Sequence, residues 1–309
     1  MHSNTNTFQS KDNLSIHYYQ WLPENKVAIK GIVQIAHGLS EHAKRYEGFA
    51  KMLTEAGFAV YANDHRGHGQ TAGSPDKVGY FEETPFWSAT LADLYQLTTI
   101  IQQAHPSVPI FLFGHSMGSM FTRHYIAKWG KELNGAIICA TGGDPGMLGT
   151  IGGIVAKMTS TISGKQERSN FLNKLSFGEF NKPFKPNRTE FDWLSRDSTE
   201  VDKYVNDPYC GVVFTAGFWV EMLKGVSLIN KSSTYENTPT DLPIWLLAGD
   251  KDPVGDMGKG VKQVYAAYQK TDRKDISCTL YPDARHELLN ETNRVAIMQD
   301  IINWLDKRV

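Results

Sequence analysis

The sequence has few cysteines, no long apolar run and no charged block, and each shortage excludes a class of protein. Its 309 residues include three cysteines, with neither a Cys-x-x-Cys pair nor a cysteine–histidine cluster. Structural zinc and redox roles are therefore not expected. The apolar runs are well short of the ~20 residues that span a membrane. The net charge of −1, without a basic run, gives no reason to expect a nucleic-acid partner.

The N-terminal residues 1–6 are polar and lack the apolar core of a signal peptide. Together with the odd number of scattered cysteines, this predicts a reducing, cytoplasmic compartment. Apolar residues make up 41% of the chain, which suffices for a sizeable core. The length fits one α/β unit that carries an insert.

Strand and helix patterns alternate along most of the chain. Short apolar runs predict strands at 14–22, 31–36, 58–62, 110–113, 136–140, 242–249 and 276–281. Apolar residues at helical spacing predict helices at 46–57, at 86–104, from near Met120, and at 293–307. This alternation predicts a mostly parallel sheet with helices on both faces.

The segment Gly114-His-Ser-Met-Gly118 directly follows the predicted strand at 110–113. A strand that ends in a G-x-S-x-G turn and leads into a helix is the context of a nucleophile elbow, which projects the serine hydroxyl above the sheet edge. The helix N-terminus adds unpaired N–H groups and a partial positive charge. The pattern therefore predicts that Ser116 is a nucleophile.

A base and an acid follow at two later strand ends. His286 lies between the last predicted strand and the last helix, and Asp252 lies just after the strand at 242–249. In this interpretation Ser116 attacks, His286 takes and returns the proton, and Asp252 holds the imidazole tautomer. Asp250 and Asp144 also follow predicted strands and stay open as alternatives for the acid.

Two backbone N–H groups are predicted to form the oxyanion hole. The strand at 31–36 ends in His37-Gly-Leu-Ser-Glu-His42, where the glycine lets the chain turn. Leu39 would donate one N–H, and Met117, the residue after the nucleophile, would donate the other. His37 and Glu41 are expected to brace this loop.

Other histidines have simpler explanations. His105 precedes a proline in a loop, and His124 falls within the helix after the elbow, so both are weak candidates for the base. The segment 64–69 (Asp-His-Arg-Gly-His-Gly) lacks the spacing of a tetrahedral metal site, and bracing of a loop is expected there instead. We predict no metal and no cofactor.

Together these motifs resemble the monoglyceride lipase and lysophospholipase branch of the α/β-hydrolases, which is also grouped with serine aminopeptidase-like hydrolases. The segments that carry the resemblance are 37–42 with Arg45-Tyr46, 64–69, 114–118, 247–252 and His286-Glu287. The resemblance implies an α/β-hydrolase fold with a helical cap insert. It also implies hydrolysis of esters with a single acyl chain, such as monoacylglycerols, lysophospholipids or simple carboxylic esters.

The alternation of strands and helices is interrupted between about 144 and 215, where we expect the cap; the core is then 1–143 with 216–309. The cap begins with large apolar residues at helical spacing, between glycines: Met147, Leu148, Ile151, Ile154, Val155 and Met158. Two interpretations stay open. The helix packs this face on the core, or it is a lid that presents the face to acyl chains or a lipid surface.

The sequence thus predicts a serine hydrolase that acts on a small-molecule ester or lipid through an acyl-enzyme, with transient contact with a lipid surface. The alternatives are a non-catalytic ligand-binding protein on the same scaffold, and a peptidase or thioesterase of the same fold. A complete set of nucleophile, base, acid and oxyanion donors disfavours the binding protein, because binding alone does not need them.

Overall fold

One mixed sheet runs through the part of the chain that the computed structural model describes, residues 1–24, 28–81 and 85–309. In chain order its strands are β1 (His2–Gln9), β2 (Ser15–Leu22), β3 (Gly31–Ala36), β4 (Phe58–Asn63), β5 (Ile110–His115), β6 (Gly135–Cys139), β7 (Ile244–Gly249) and β8 (Ile276–Tyr281). Their order across the sheet is β1-β2-β4-β3-β5-β6-β7-β8. The first two are antiparallel, and β3 to β8 are parallel.

Helices cover both faces of this sheet. They are α1 (Glu47–Glu55), α2 (Phe86–Ala104), α3 (Met117–Trp129), α4 (Gly146–Ser163), α5 (Asn170–Phe177), α6 (Ser198–Asn206), α7 (Ala216–Ile229), α8 (Ser232–Glu236), α9 (Lys259–Gln269) and α10 (Arg294–Asp306). α1 and α10 share a hydrophobic core with one face, and α2, α3, α7 and α9 share a core with the other. The predicted architecture is confirmed.

The central strands are buried at every position, from β3 through β7. This is why they are mostly apolar runs in the sequence, since a parallel sheet covered on both faces has no solvent side; the buried Gln34 of β3 is an exception. Parallel strands also bring their carboxyl ends to one edge of the sheet, where ligands bind in α/β folds. The loops that follow β3, β5, β7 and β8 therefore meet at that edge.

Two local features differ from the sequence prediction. β1 was not predicted, because its exposed residues are polar and Phe8 is its one buried side chain; backbone pairing with β2 holds it instead. The helix after the elbow begins at Met117 rather than near Met120. Ser116 is thus the residue that immediately precedes the helix.

The predicted interruption lies between β6 and β7, a stretch that contains α4 to α8. α4 packs against α7, and its small residues Gly152, Ala156 and Ser160 recur every four positions; Ala156 and Ser160 are buried, and Gly152 approaches Leu223 of α7. The large apolar residues of the predicted face other than Val155 point away, with Met147 81% exposed and Ile154 57% exposed, whereas Val155 packs against the core. The interpretation that this face packs on the core is therefore wrong: small residues make the contact because they let two helices approach closely.

None of the described helices combines the length and the apolar character needed to cross a bilayer.

Three buried histidines brace the loops after β3 and β4. His37 Nε2 accepts the backbone N–H of His65 (2.9 Å), and the ring of His65 lies 4.0 Å from that of His37, centroid to centroid. His68 Nδ1 bonds to the carbonyl of Arg66 (2.8 Å). Burial, with repulsion from its neighbour His68, lowers the pKa of His65 to about 3. Burial likewise lowers the pKa of His68 to about 4, so these rings are neutral at pH 7.

These depressed pKa values predict a loss of stability in mild acid. Between pH ~6.5 and 4, His65 and His68 become protonated in the unfolded chain but stay neutral in the folded protein. The free energy of unfolding therefore falls as pH falls, by up to about 1.4 kcal/mol per pH unit for each group. His65→Gln should lower Tm at pH 7.5 but give a shallower decline of Tm from pH 7.5 to 5. Exposed His2→Gln serves as the control. Parallel Tm curves for wild type and His65→Gln would contradict this account.

Candidate active site

Ser116 lies on a strained turn between β5 and α3. Its φ of 52° and ψ of −118° fall outside the regions that residues with a side chain normally occupy. The turn is tight enough to exclude side chains on both flanks: a Cβ on Gly114 would lie 2.2 Å from Thr122 Oγ1, and one on Gly118 would lie 2.0 Å from the carbonyl oxygen of Ala36. The two glycines of the motif are therefore required by packing, and Ser116 itself stays partly exposed.

His286 and Asp252 are joined by a hydrogen bond at the same edge of the sheet. His286 Nδ1 donates to Asp252 Oδ1 (2.9 Å), and the backbone N–H of Val254 donates to the same oxygen (2.9 Å). Both side chains are buried. Burial by itself would lower the pKa of His286, but the charge and hydrogen bond of Asp252, with Glu287 and Glu41 nearby, outweigh it and raise that pKa. Asp252 thus stabilises the protonated form of His286, which is the form a general base reaches when it accepts a proton.

The other two acids considered from the sequence have different partners. Asp250 accepts the backbone N–H of Asp283 (2.8 Å). Asp144 is exposed and accepts the N–H of Gly146 (2.9 Å). Of the three candidates, Asp252 is the one that bonds to the histidine.

The two histidines that the sequence offered as weak candidates for the base lie elsewhere in the fold. His105 Nε2 bonds to the hydroxyl of Tyr61 (2.7 Å), and His124 Nδ1 accepts the indole N–H of Trp87 (2.8 Å). Neither contact involves the residues that line the cavity at Ser116.

The two predicted oxyanion donors line the same cavity as Ser116 and His286. Met117 is the first residue of α3, where backbone N–H groups have no acceptor within the helix. Leu39 lies in the loop of residues 37–42, which we call the oxyanion loop. The backbone N–H of Gly38 donates to Glu41 Oε1 (2.5 Å), which agrees with the expected bracing role of Glu41.

A buried ionic cluster of Glu41, Arg45, Tyr46 and Glu287 lies beside these groups. Arg45 donates to Glu41 Oε2 (2.6 Å) and to both oxygens of Glu287 (2.7 and 2.8 Å), and Tyr46 donates to Glu41 Oε1 (2.8 Å). Burial opposes ionisation of Glu287, but Arg45 outweighs it and lowers the pKa of Glu287 to about 2. The sequence predicts a bracing role for Glu41 but no role for Arg45, Tyr46 or Glu287. The signal was present, since Glu287 follows the base directly and Arg45 follows the oxyanion loop.

The ring of His286 lies between two other rings. His115 is 4.8 Å away and Trp193 is 5.0 Å away, centroid to centroid. Burial and the nearby His286 lower the pKa of His115 to about 4, so that ring is neutral at pH 7. The backbone N–H of Glu287 also donates to the carbonyl of Leu194 (2.8 Å). The loop of the base is therefore held by the segment at 193–194 as well as by Asp252.

A cavity of about 650 Å³ opens above Ser116, within the size range of small-molecule sites. Its lining includes Ser116, His286 and the oxyanion loop, and its apolar walls come from α7, from Phe177 of α5 and from the segments 191–194 and 212–213. These apolar wall residues include Phe177, Trp219, Met222, Leu223 and Val226. The expectation that the large apolar residues of α4 line an acyl pocket is therefore wrong among the described residues, because α7 occupies that position.

One group of described residues offers three potential metal-ligand atoms, His42, Asp207 and Cys210, all within 4.8 Å of one another. Two of them already bond to each other, His42 Nε2 to Asp207 Oδ2 at 2.9 Å. Burial strongly raises the pKa of the Cys210 thiol, which disfavours the thiolate that metals bind. We interpret the group as a polar contact between two segments.

Comparison with known proteins gives the family of the chain. Residues 27–293 match the family model described as serine aminopeptidase, S33. Rat (Rattus norvegicus) monoglyceride lipase is 29% identical over 286 residues, which are 91% of this chain and 84% of the relative. The monoacylglycerol lipase of Mycolicibacterium smegmatis is 26% identical over 307 residues, 97% of this chain and 95% of the relative.

Among solved structures, a thermostable carboxyl esterase from Bacillus coagulans in complex with glycerol superposes with a TM-score of 0.91. It is 30% identical, and the match covers 100% of this chain and 99% of the esterase. An eight-stranded, mostly parallel sheet and a family match over most of the chain lead to one conclusion: this chain belongs to the serine aminopeptidase S33 family and has the α/β-hydrolase fold.

Proposed function

We propose that this protein is a serine hydrolase that cleaves carboxylic esters with a single acyl chain through an acyl-enzyme. The observation that carries the proposal is the buried Asp252–His286 hydrogen bond at the sheet edge, in a cavity shared with the strained Ser116. The lipases and the esterase among its relatives support the ester substrate.

In the proposed mechanism, Ser116 Oγ attacks the ester carbonyl while His286 Nε2 takes its proton. Asp252 holds the Nδ1–H tautomer and stabilises the imidazolium. The backbone N–H groups of Leu39 and Met117 bind the oxyanion of the tetrahedral intermediate. His286 then protonates the leaving alcohol. In the second half, His286 activates water, which attacks the acyl-enzyme and releases the carboxylic acid and Ser116.

The proposed substrate follows from the shape of the cavity. Phe177, Trp219 and Met222 offer apolar walls for one acyl chain, and the polar groups that line the same cavity suit a small alcohol. Residues 144–215 form the proposed cap over a core of 1–143 and 216–309, with α7 of the core completing the cavity wall. Peptidase or thioesterase activity on the same fold is the alternative. It would be distinguished from esterase activity by hydrolysis of peptides or thioesters in place of esters. The unpaired state of the three cysteines supports a cytoplasmic location.

Contact with a lipid surface is also part of the proposal. The outward face of α4 exposes a contiguous row of large apolar residues. A single exposed apolar residue is common on protein surfaces, whereas a contiguous row of them marks an interaction site. Its members are Met147, Leu148, Ile151, Ile154, Met158 and Ile162. This face would lie on an emulsion or bilayer that presents the substrate.

Replacing the nucleophile should abolish turnover. Ser116→Ala should lower kcat by more than about 1,000-fold because the acyl-enzyme can no longer form, with Tm close to wild type. Ser88→Ala, a matched hydroxyl loss at an exposed position of α2 where the hydroxyl bonds to the carbonyl of Pro85, should keep most activity. Steady-state hydrolysis of p-nitrophenyl butyrate and labelling by a fluorophosphonate probe measure both. Residual Ser116→Ala activity above about a thousandth of wild type would contradict the nucleophile role.

Replacing the acid should change both rate and pH dependence. Asp252→Asn should lower kcat by about 10³- to 10⁴-fold through loss of the correct tautomer. The wild-type rate should fall in acid with an apparent pKa above the ordinary histidine value, since His286 must be unprotonated and its pKa is raised. In Asp252→Asn this acidic limb should move to lower pH.

Asp250→Asn is the matched control for that experiment, because Asp250 is two residues away and bonds to a backbone N–H instead. We expect its kcat within about threefold of wild type and an unchanged acidic limb. A larger loss in Asp250→Asn than in Asp252→Asn would show that the acid is misassigned.

The exposed face of α4 should matter for substrate presented on a surface. Ile154→Glu should lower hydrolysis of monoacylglycerol in vesicles by about tenfold or more, since burying one isoleucine is worth about 1.5–3 kcal/mol. Hydrolysis of dissolved p-nitrophenyl acetate should stay unchanged. Val295→Glu, at another exposed apolar position, is the control. Equal losses on both substrates would contradict a surface-binding role.

A further inference from the structure

The oxyanion loop makes an unusual turn at Ser40, which has a φ of 58° and is buried. A residue with a side chain is held in this conformation by its surroundings. Two donors from the cap bond to the carbonyl oxygen of Ser40: the hydroxyl of Tyr204 (3.0 Å) and the backbone N–H of Gly211 (3.1 Å). The turn is thus held by a segment more than 160 residues away in the chain.

The loop is held at two points. Within the loop, Glu41 Oε1 accepts the N–H of Gly38 (2.5 Å), and Glu41 is in turn fixed by Arg45 and Tyr46. On the cap side are the two bonds to the Ser40 carbonyl. Leu39 lies between these anchors, so the direction of its N–H depends on both.

Two more contacts join the same two segments. Ser40 Oγ donates to the carbonyl of Val212 (3.2 Å), and His42 Nε2 bonds to Asp207 Oδ2 (2.9 Å). We call the contacts of residues 40–42 with residues 204–212 the cap–loop junction.

The side chain of Tyr204 is itself well fixed. It is buried, its ring lies 4.9 Å from the guanidinium carbon of Arg45, and the ring of Phe191 lies 5.0 Å away. Burial strongly raises its pKa, so the hydroxyl stays protonated and able to donate at neutral pH.

We infer that Tyr204 is a positioning residue for the oxyanion hole: its hydroxyl, supplied by the cap, holds the Ser40 carbonyl and thereby aims the Leu39 N–H at the reacting carbonyl oxygen. The inference rests on the proposed function and deepens it. Seating of the cap and assembly of the oxyanion hole are then one event, because the same residues do both.

The test is Tyr204→Phe, which keeps the ring contacts and removes the hydroxyl alone. We expect kcat to fall about tenfold, less than the loss from deleting an oxyanion donor outright, while KM changes by less than about twofold. The loss should be the same for p-nitrophenyl butyrate and for a monoacylglycerol. A trifluoromethyl ketone, which forms a tetrahedral oxyanion adduct with the serine, should bind more weakly by the same factor as kcat/KM.

The matched control is Tyr209→Phe. Tyr209 lies in the same cap segment and meets the oxyanion loop through its ring, 6.1 Å from that of His42, so kcat and ketone affinity should stay at wild-type values. Rates are normalised to the fraction of enzyme that a fluorophosphonate titrates. Should Tyr204→Phe fold poorly, Asp207→Ala weakens the junction at another point and should lower kcat about two- to threefold with KM unchanged.

Three results would overturn the inference. One is an unchanged kcat and ketone affinity in Tyr204→Phe, or in Asp207→Ala if that variant has to be used. Another is a rise in KM for the monoacylglycerol alone, which would mean that Tyr204 contacts the leaving alcohol. The third is an equal loss in Tyr209→Phe. Failure of the proposed function is a separate result, because wild-type protein would then lack hydrolysis and probe labelling.

Discussion

The guanidinium of Arg45 joins the two loops on which the proposed chemistry depends. It lies between Glu41, which also accepts the Gly38 N–H of the oxyanion loop, and Glu287, the neighbour of His286. Both glutamates are buried and Arg45 is only 11% exposed, and removing one partner of a buried pair typically costs about 3–5 kcal/mol because the other charge is left unpaired. The loop of His286 and the oxyanion loop therefore have few alternative positions. The distance between His286 and the backbone of the oxyanion loop is set by the ionic contacts of Arg45 rather than by either loop alone.

Much of the fold and of the candidate site could be predicted because both depend on local patterns. β3 and β5 are buried throughout and mostly apolar, since both faces of a parallel sheet are covered. Ser116, Asp252 and His286 each follow a strand, and parallel strands end at one edge, so residues far apart in sequence were expected to be neighbours. The order serine, aspartate, histidine along the chain then predicts a role for each of the three residues. The structure is consistent with these roles, which stay predictions.

What could not be predicted depends on contacts between distant segments. β1 has one buried side chain, so its pairing with β2 left no periodic signal. In α4 the large apolar residues suggested the packing face, whereas Gly152 and Ala156 lie on the packed side. The bond from Tyr204 to Ser40 involves a hydroxyl and a carbonyl that every chain contains many times. No sequence pattern distinguishes such a pair before the chain is folded.

The proposed cap is one continuous stretch of chain between β6 and β7. A single continuous insertion can be exchanged by recombination without disturbing the strand order, which would give an inherited core a new binding cavity in one step. The bonds to the Ser40 carbonyl limit this freedom. A transplanted cap that filled the same space but offered no donors to that oxygen would produce a protein that accepts a ligand and turns it over slowly.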